Sequence, residues 1–267
     1  SELKIIKTKG DKIQHLGFDK MEGKGFFTKE IEEALLNEEV DIAVHSLKDL
    51  PTDKVPGRVI SGLSYREDPA DVLIIPKERL QNTRLLSLPE NAIVGSSSIR
   101  RKAQITSLVP DVVVKDLRGN VPTRIQKLRD GAYDAIIIAA AGLKRLDLEY
   151  DELHIQRLNP REFVPAPGQG IIAYQTRTED LRIRKSLQAV HQRDVAKRSN
   201  VERKVLNLMD GGCHIPLGVY CELDPKGHYH CFAAYARDGY QALKRTRISQ
   251  STSYGLAESI VEALKSD

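Results

Sequence analysis

Ala92-Ile-Val-Gly-Ser-Ser-Ser-Ile-Arg-Arg-Lys-Ala-Gln-Ile-Thr-Ser107 decides the fold. Ala92–Gly95 reads as a short buried strand, and Ser98 then opens a helix over Ser98–Ser107 as its N-cap. The same grammar continues downstream, with a strand over Val112–Lys115, a helix over Pro122–Arg129 and a strand over Asp134–Ala139. Upstream, strands are predicted over Leu3–Thr8, Val40–His45, Val59–Leu63 and Val72–Ile75. A helix is predicted over Thr28–Asn37, with Thr28 as N-cap. Short apolar runs alternating with amphipathic stretches predict an α/β fold with mainly parallel strands.

Beyond this region the patterning changes. Gly168–Thr176 reads as a strand returning to the first unit, followed by helices over Glu179–Val190 and Val195–Asp210. Gly218–Leu223 and His228–Tyr235 flank Asp224-Pro-Lys-Gly227, a hairpin signal; Arg245–Ser249 adds a strand and Tyr254–Lys265 a closing helix. The expected organisation is one domain from residues 1–69 and 171–190, a second from 70–170, and a small α+β third from 193–267.

The chain has 267 residues, and 40% hydrophobic content is enough for sizeable cores, so wholesale disorder is not expected. Its 41 basic and 37 acidic residues leave a net charge of +4, too little to argue for nucleic acid. Trp is absent and aromatics are 5%, which argues against base stacking. The longest apolar run, Ala135-Ile-Ile-Ile-Ala-Ala-Ala-Gly-Leu143, is a strand entering a helix rather than a membrane span. Ser1-Glu-Leu-Lys-Ile-Ile6 does not read as a signal peptide. Three cysteines, an odd count, argue against a disulfide framework and for a reducing compartment.

Four features place polar or charged groups just after a buried strand, the edge where open α/β sheets bind ligands. In His45-Ser-Leu-Lys-Asp-Leu-Pro51, Lys48 and Asp49 sit on a turn closed by Pro51. A carboxylate there can balance developing positive charge or move protons; the alternative is a surface Lys–Asp pair. In Gly95-Ser-Ser-Ser-Ile-Arg-Arg101, Arg100 and Arg101 occupy a first helical turn, where cations oppose the helix dipole. They call for an anion, and an anionic ligand is the obvious one; the alternative is an ordinary cap with solvated arginines. Leu117-Arg-Gly-Asn-Val-Pro-Thr-Arg124 supplies Arg118 and Arg124, and Gly142-Leu-Lys-Arg145 supplies Arg145. Three basic turns in one α/β unit point to a ligand with several carboxylates, because guanidinium forks match carboxylates bidentately. Neither a Walker A sequence nor GxGxxG occurs, so nucleotide binding is not indicated. Cys221 and Cys231 read as core residues of the hairpin strands. Cys213, in Gly211-Gly-Cys-His-Ile-Pro216, is either structural or a nucleophile or attachment point. No C-x-x-C or H-x-x-x-H pair is present, and no metal is expected.

Taken in order, Thr8-Lys-Gly-Asp11, Gly23-Lys-Gly-Phe-Phe27, His45–Pro51, Gly95–Arg101, Leu117–Asn120 with Thr123-Arg124, Ala141–Arg145, Gly168-Gln-Gly170 and Gly211–Pro216 closely resemble the porphobilinogen deaminase (hydroxymethylbilane synthase) family. The likeness covers almost the whole chain. It implies two lobes like those of type II periplasmic binding proteins plus the small third domain. It also implies a transferase of tetrapyrrole (haem) biosynthesis. Such an enzyme deaminates four porphobilinogen units, joins them head to tail on a covalent dipyrromethane cofactor, and hydrolyses off linear hydroxymethylbilane. By position, the resemblance makes Cys213 the thioether attachment point and Asp49 the catalytic carboxylate. Ser46, Lys48, Ser96, Ser98, Arg100, Arg101, Arg118, Arg124, Arg145 and Gln169 become cofactor- and substrate-binding residues, and Lys24 and Phe27 part of an active-site loop. The implied partners are porphobilinogen and the growing polypyrrole chain, with neither nucleic acid nor membrane. A monomer in the cytoplasm is expected, or in a plastid if the source is a plant or alga. Relative to the family pattern, the sequence begins after an initial strand, a Gly-Thr-Arg stretch and a helix. Ser96 stands where threonine is common, and Pro167 where a small apolar residue is usual. The rival reading, a two-lobed anion-binding protein without catalysis, explains the lobes and basic turns but not Asp49, Cys213 or the third domain.

Overall fold

The computed structural model describes residues 2–8, 28–53, 55–146, 150–210, 215–237 and 242–266. In chain order, α1 (Lys29–Leu36), β1 (Ala43–Ser46) and β2 (Arg58–Leu63) come first. They are followed by β3 (Asp71–Pro76), β4 (Ile93–Gly95), α2 (Ile99–Leu108), β5 (Val113–Lys115), α3 (Val121–Arg129), β6 (Ala135–Ala139), α4 (Ala140–Lys144) and β7 (Leu153–Arg157). The chain continues through β8 (Ile172–Arg177), α5 (Leu181–Leu187), α6 (Arg193–Leu208), β9 (Leu217–Leu223), β10 (Tyr229–Arg237), β11 (Ala242–Gln250) and α7 (Leu256–Lys265).

Among the described residues the strands make three sheets, ordered β1-β8-β2, β5-β4-β6-β3-β7 and β11-β10-β9. The α/β class is as expected, but the strand directions are not. Only β4 pairs in parallel, with β5 and β6; β8 is antiparallel to β1 and β2, and β3 to β6 and β7. The chain leaves the first sheet through residues 64–70 and returns through 158–171. Strands laid down by these crossings run against neighbours placed by helical crossovers. Among the described residues Leu3–Thr8 forms no strand, and Leu3 and Ile5 are exposed. Sequence reading also missed β7 and placed a strand at Gly168, where a turn precedes β8.

The second sheet has both faces covered, so β3 is buried at every position. Leu73 and Ile75 pack with Val94, Ile105 and Ile137 on one face; Val72 and Ile74 pack with Ile125, Leu128 and Ile136 on the other. This is the two-residue period of a pleated strand. Where the crossings run side by side, Glu67 N donates to the Gly170 carbonyl at 3.0 Å. Gly170 has φ +87°, and a Cβ there would lie 2.5 Å from the Glu67 carbonyl oxygen, so no other residue fits without shifting the crossing.

The third sheet is a meander whose first turn is the expected hairpin: Gly227 N donates to the Asp224 carbonyl, and the Asp224 carboxylate accepts from Lys226 N and His228 N. Its inner face packs Val219, Cys221, Cys231 and Ala233 against Val201 and Val205 of α6 and Ile260 and Leu264 of α7. Cys221 and Cys231 are thus core residues, as read. Buried Glu202 of α6 ties this unit to the crossings: it pairs with Arg66 at 2.5 Å and accepts from Gly168 N at 2.8 Å and Cys221 N at 2.9 Å.

Candidate active site

β1 is short and ends in the turn Leu47–Asp49, anchored by Leu47 N donating to the Ile171 carbonyl at 2.9 Å. Arg203 of α6 clamps the same turn from the other side, donating to the carbonyls of Leu47, Leu50 and Pro51 at 3.0, 3.0 and 2.6 Å. The backbone under Lys48 and Asp49 is therefore held by two other parts of the chain. Asp49 is exposed and Lys48 half-buried; Ser46 is exposed and makes no cap bond.

β4 runs into Ser96–Ser98. Ser98 caps α2, accepting from Arg101 N at 3.5 Å, and buried Ser96 accepts from Ser98 N at 3.3 Å. Arg100 and Arg101 are both buried, and the anion they call for is in the first instance internal. Arg100 Nη1 lies 2.7 Å from Asp71 Oδ2, while Arg101 donates to Asp71 Oδ1 from Nε at 3.1 Å and Nη2 at 2.8 Å. Carbonyls of Val164 and Ile137 take further guanidinium hydrogens. Asp71 thus gives the two arginines an internal counter-charge that sequence analysis did not supply. Burial pushes the Asp71 carboxyl up, but the two guanidiniums outweigh it and hold it well below the ordinary carboxylate range. Gln169 joins the cluster through Nε2, which donates to Asp71 Oδ1 at 2.9 Å and the Pro69 carbonyl at 2.8 Å; its buried Oε1 has no hydrogen-bond partner.

The basic turns meet this cluster. Arg124, whose Nε donates to the Gly119 carbonyl at 2.7 Å, is lowered to about 10 by burial and by the cations of Arg101 and Arg118, with Asp49 opposing. Lys48 is lowered by burial; Asp49 opposes this, Arg101 adds to it, and Asp71 and Arg100 act more weakly in opposite senses. Asp49 and Arg101 thus each act on both Lys48 and Arg124, while Arg100 acts on Lys48 and Arg118 on Arg124. Arg145 stands apart: it is exposed and donates to the Gly170 carbonyl at 3.2 Å. Cys213, Lys24 and Phe27 lie outside the described residues. Sequence reading missed Asp71 and Arg203. Asp71 had a legible signal, a carboxylate opening an otherwise wholly apolar strand; Arg203 had none.

His45, in β1, is buried, and among the described residues its Nε2 has no hydrogen-bond partner within normal geometry. Burial lowers its pKa; Glu32, Gln175 and Asp49 oppose this and Arg58 reinforces it. The unfolded chain, with His near about 6.5, then takes up the proton first, so this group costs stability as pH falls below that value. Between pH 7.5 and 5.5, denaturant-measured stability should fall more steeply in the parent than in His45→Gln. Equal slopes would mean that His45 titrates normally.

A carboxylate that acts on Lys48 and Arg124, with further guanidiniums beside them, is an arrangement suited to an α/β protein that takes up an anion. A family model described as porphobilinogen deaminase, dipyromethane cofactor binding domain, matches residues 1–185. The porphobilinogen deaminase of Oceanobacillus iheyensis is 45% identical over 223 residues, 84% of this chain and 71% of its own. That of Sulfurimonas denitrificans is 41% identical over 256 residues, 95% of this chain and 80% of its own. An arginine-specific periplasmic binding protein of Salmonella typhimurium overlaps 67% of this chain and 76% of its own at 11% identity and a TM-score of 0.38. The chain belongs to the porphobilinogen deaminase family.

Proposed function

We propose that this chain is a hydroxymethylbilane synthase, a transferase that deaminates porphobilinogen and condenses four units head to tail on a dipyrromethane cofactor, then releases hydroxymethylbilane by hydrolysis. The observation that carries the site assignment is a linked set of charges: Asp49 acts on Lys48 and on Arg124, Arg101 acts on both of these cations, and Arg118 acts on Arg124. Each pyrrole bears an acetate and a propionate, and such a cluster is complementary to several carboxylates at once. The dipyrromethane fits on one count: the cations that act on Arg124 and Lys48 exceed the carboxylates beside them, as a ligand with several carboxylates requires.

Arg118 and Arg124 hold carboxylates with their forks, and Lys48 holds another as a point charge. Asp71 keeps Arg100 and Arg101 in place while their summed charge stays positive. Asp49 accepts the pyrrole N–H of the substrate as ammonia leaves and positive charge spreads over the ring. That interaction is stronger in the transition state than before it. When bound, the dipyrromethane supplies the pyrrole carbon to which the first unit is joined. Cys213 attaches it, and Lys24 and Phe27 belong to a loop over the site. Ser46, Ser96 and Ser98, close in sequence to Lys48 and to Arg100 and Arg101, bind substrate or cofactor, and Arg145, which stands apart from the cluster, would reach the ligand only from beside Gly170. The domains are residues 1–69 with 171–190, 70–170 and 193–267, in a cytoplasmic monomer. Among the described residues, no helix is long and apolar enough to cross a membrane.

Intact mass tests the reading. The purified protein should be heavier than its sequence by one dipyrromethane, and Cys213→Ser should fold yet show the bare polypeptide mass. Retention of the added mass in Cys213→Ser, or its loss in Cys221→Ser, would refute the attachment site.

A further inference from the structure

The inner face of the third sheet is sealed by α6 and α7; its outer face is only partly covered. Tyr220, Phe232 and Ala234 pack there against Val164, while α2 approaches β10 and β11. Where that contact stops, a cavity of about 460 Å³ opens beside Tyr220 and Phe232. That volume lies in the range of small-molecule sites, roughly 300–1,000 Å³. The cavity shares no residue with the candidate active site.

Its chemistry is specific. Arg247 lies opposite Phe232 in the β10–β11 register, with its guanidinium carbon 5.3 Å from the ring centroid, and Arg161 stands 5.8 Å from the same ring. Tyr220 stacks on Phe232 at 6.4 Å and 25°. Arg161 is neutralised by Glu222 at 2.8 Å. Among the described residues, Arg247 and Arg198 form no ion pair; Arg198 donates only to the Asp194 carbonyl of its own helix. His230 closes one side, its Nδ1 2.7 Å from Ser249 Oγ and its Nε2 3.2 Å from Asp224 Oδ2, so both ring nitrogens are engaged. Two guanidiniums without carboxylates therefore border a void beside stacked aromatic rings. Guanidinium planes stack on aromatic faces, and their forks bind carboxylates.

We propose that this cavity is a second, non-catalytic site for a small planar aromatic carboxylate. The ring stacks on the Arg247 guanidinium, which itself lies over Phe232, and the carboxylate is taken by Arg198. A ligand there would touch α6, the return crossing at Arg161 and the third sheet together.

Titration calorimetry of the full chain with phthalate, at constant ionic strength, tests this. Saturable binding is expected, and Arg247→Met and Arg198→Met should each weaken it by about tenfold or more, while circular dichroism shows them folded. Succinate, with the same charge and no ring, should bind at least about tenfold more weakly. Asp49→Asn and Arg118→Met should leave phthalate binding unchanged. Absent saturation, equal binding by Arg247→Met and Arg198→Met, equal affinity for succinate, or loss of binding in Arg118→Met would each overturn the proposal, the last by placing the ligand in the active site.

Discussion

Asp71→Asn is expected to lower stability by about 3–5 kcal/mol, the usual result of removing one partner from a buried ion pair. Asparagine fills the same space, so packing is preserved and the change isolates charge. Arg100 and Arg101, both buried, would lose the only carboxylate that pairs with them among the described residues. Gln169 Nε2 would lose a charged acceptor as well. For a chain of this size the loss corresponds to roughly 6–20 °C in Tm. The sign with pH follows from the depressed carboxyl: its stabilisation is present above the unfolded value near about 3.9 and disappears only as pH falls through the much lower folded value. The deficit of Asp71→Asn should therefore be full at neutral pH and shrink only in strong acid. Calorimetry at pH 7 checks it; a Tm within about 2 °C of the parent, less than the shift from one kcal/mol, would mean that the arginines find other anions or water.

Asp49→Asn should leave the fold intact and remove most of the chemistry. Asp49 is exposed, and its turn is held by Leu47 N and by the Arg203 clamp rather than by its own carboxylate. Losing a preorganised charge at the reacting centre should raise the barrier by roughly 2.7–4 kcal/mol, about a hundredfold or more in rate. Asp49→Glu keeps the charge but misplaces it, and should retain more activity than Asp49→Asn. Single-turnover deamination on cofactor-loaded protein separates this step from cofactor assembly. Turnover by Asp49→Asn within a few-fold of the parent would make Asp49 a structural turn residue. The two variants fail in opposite ways: Asp71→Asn loses stability first, Asp49→Asn loses rate first.

Local chemistry was legible in the residues themselves. Ser98 caps α2 as its position after a strand requires, and the Asp224–Gly227 hairpin closes as its residue types dictate, whereas Thr28, predicted as the cap of α1, makes no side-chain cap bond. These features depend on neighbours within four residues, and so does the placing of Lys48, Asp49, Arg118 and Arg124 just beyond strands. Charge type and turn position suggested an anionic ligand for Arg100 and Arg101 and gave no sign of Asp71. Leu3–Thr8 shows the limit: β-like composition alone does not make a strand, and this segment forms none among the described residues.

Only the tertiary structure decided which anion meets which cation. Asp71 reaches Arg100 and Arg101 because β3 is laid between β6 and β7 by the crossing, a placement that no local pattern encodes. Arg203 grips the Asp49 turn from a helix more than a hundred residues away, and Glu202 binds Arg66 across a similar span. The antiparallel direction of β8 has the same origin. Turns, caps and periodicity are set by short-range sterics and hydrogen bonding, which the sequence carries by itself. Strand direction and ion pairing are set by where distant segments are brought together, and that follows from the joint burial of the whole chain.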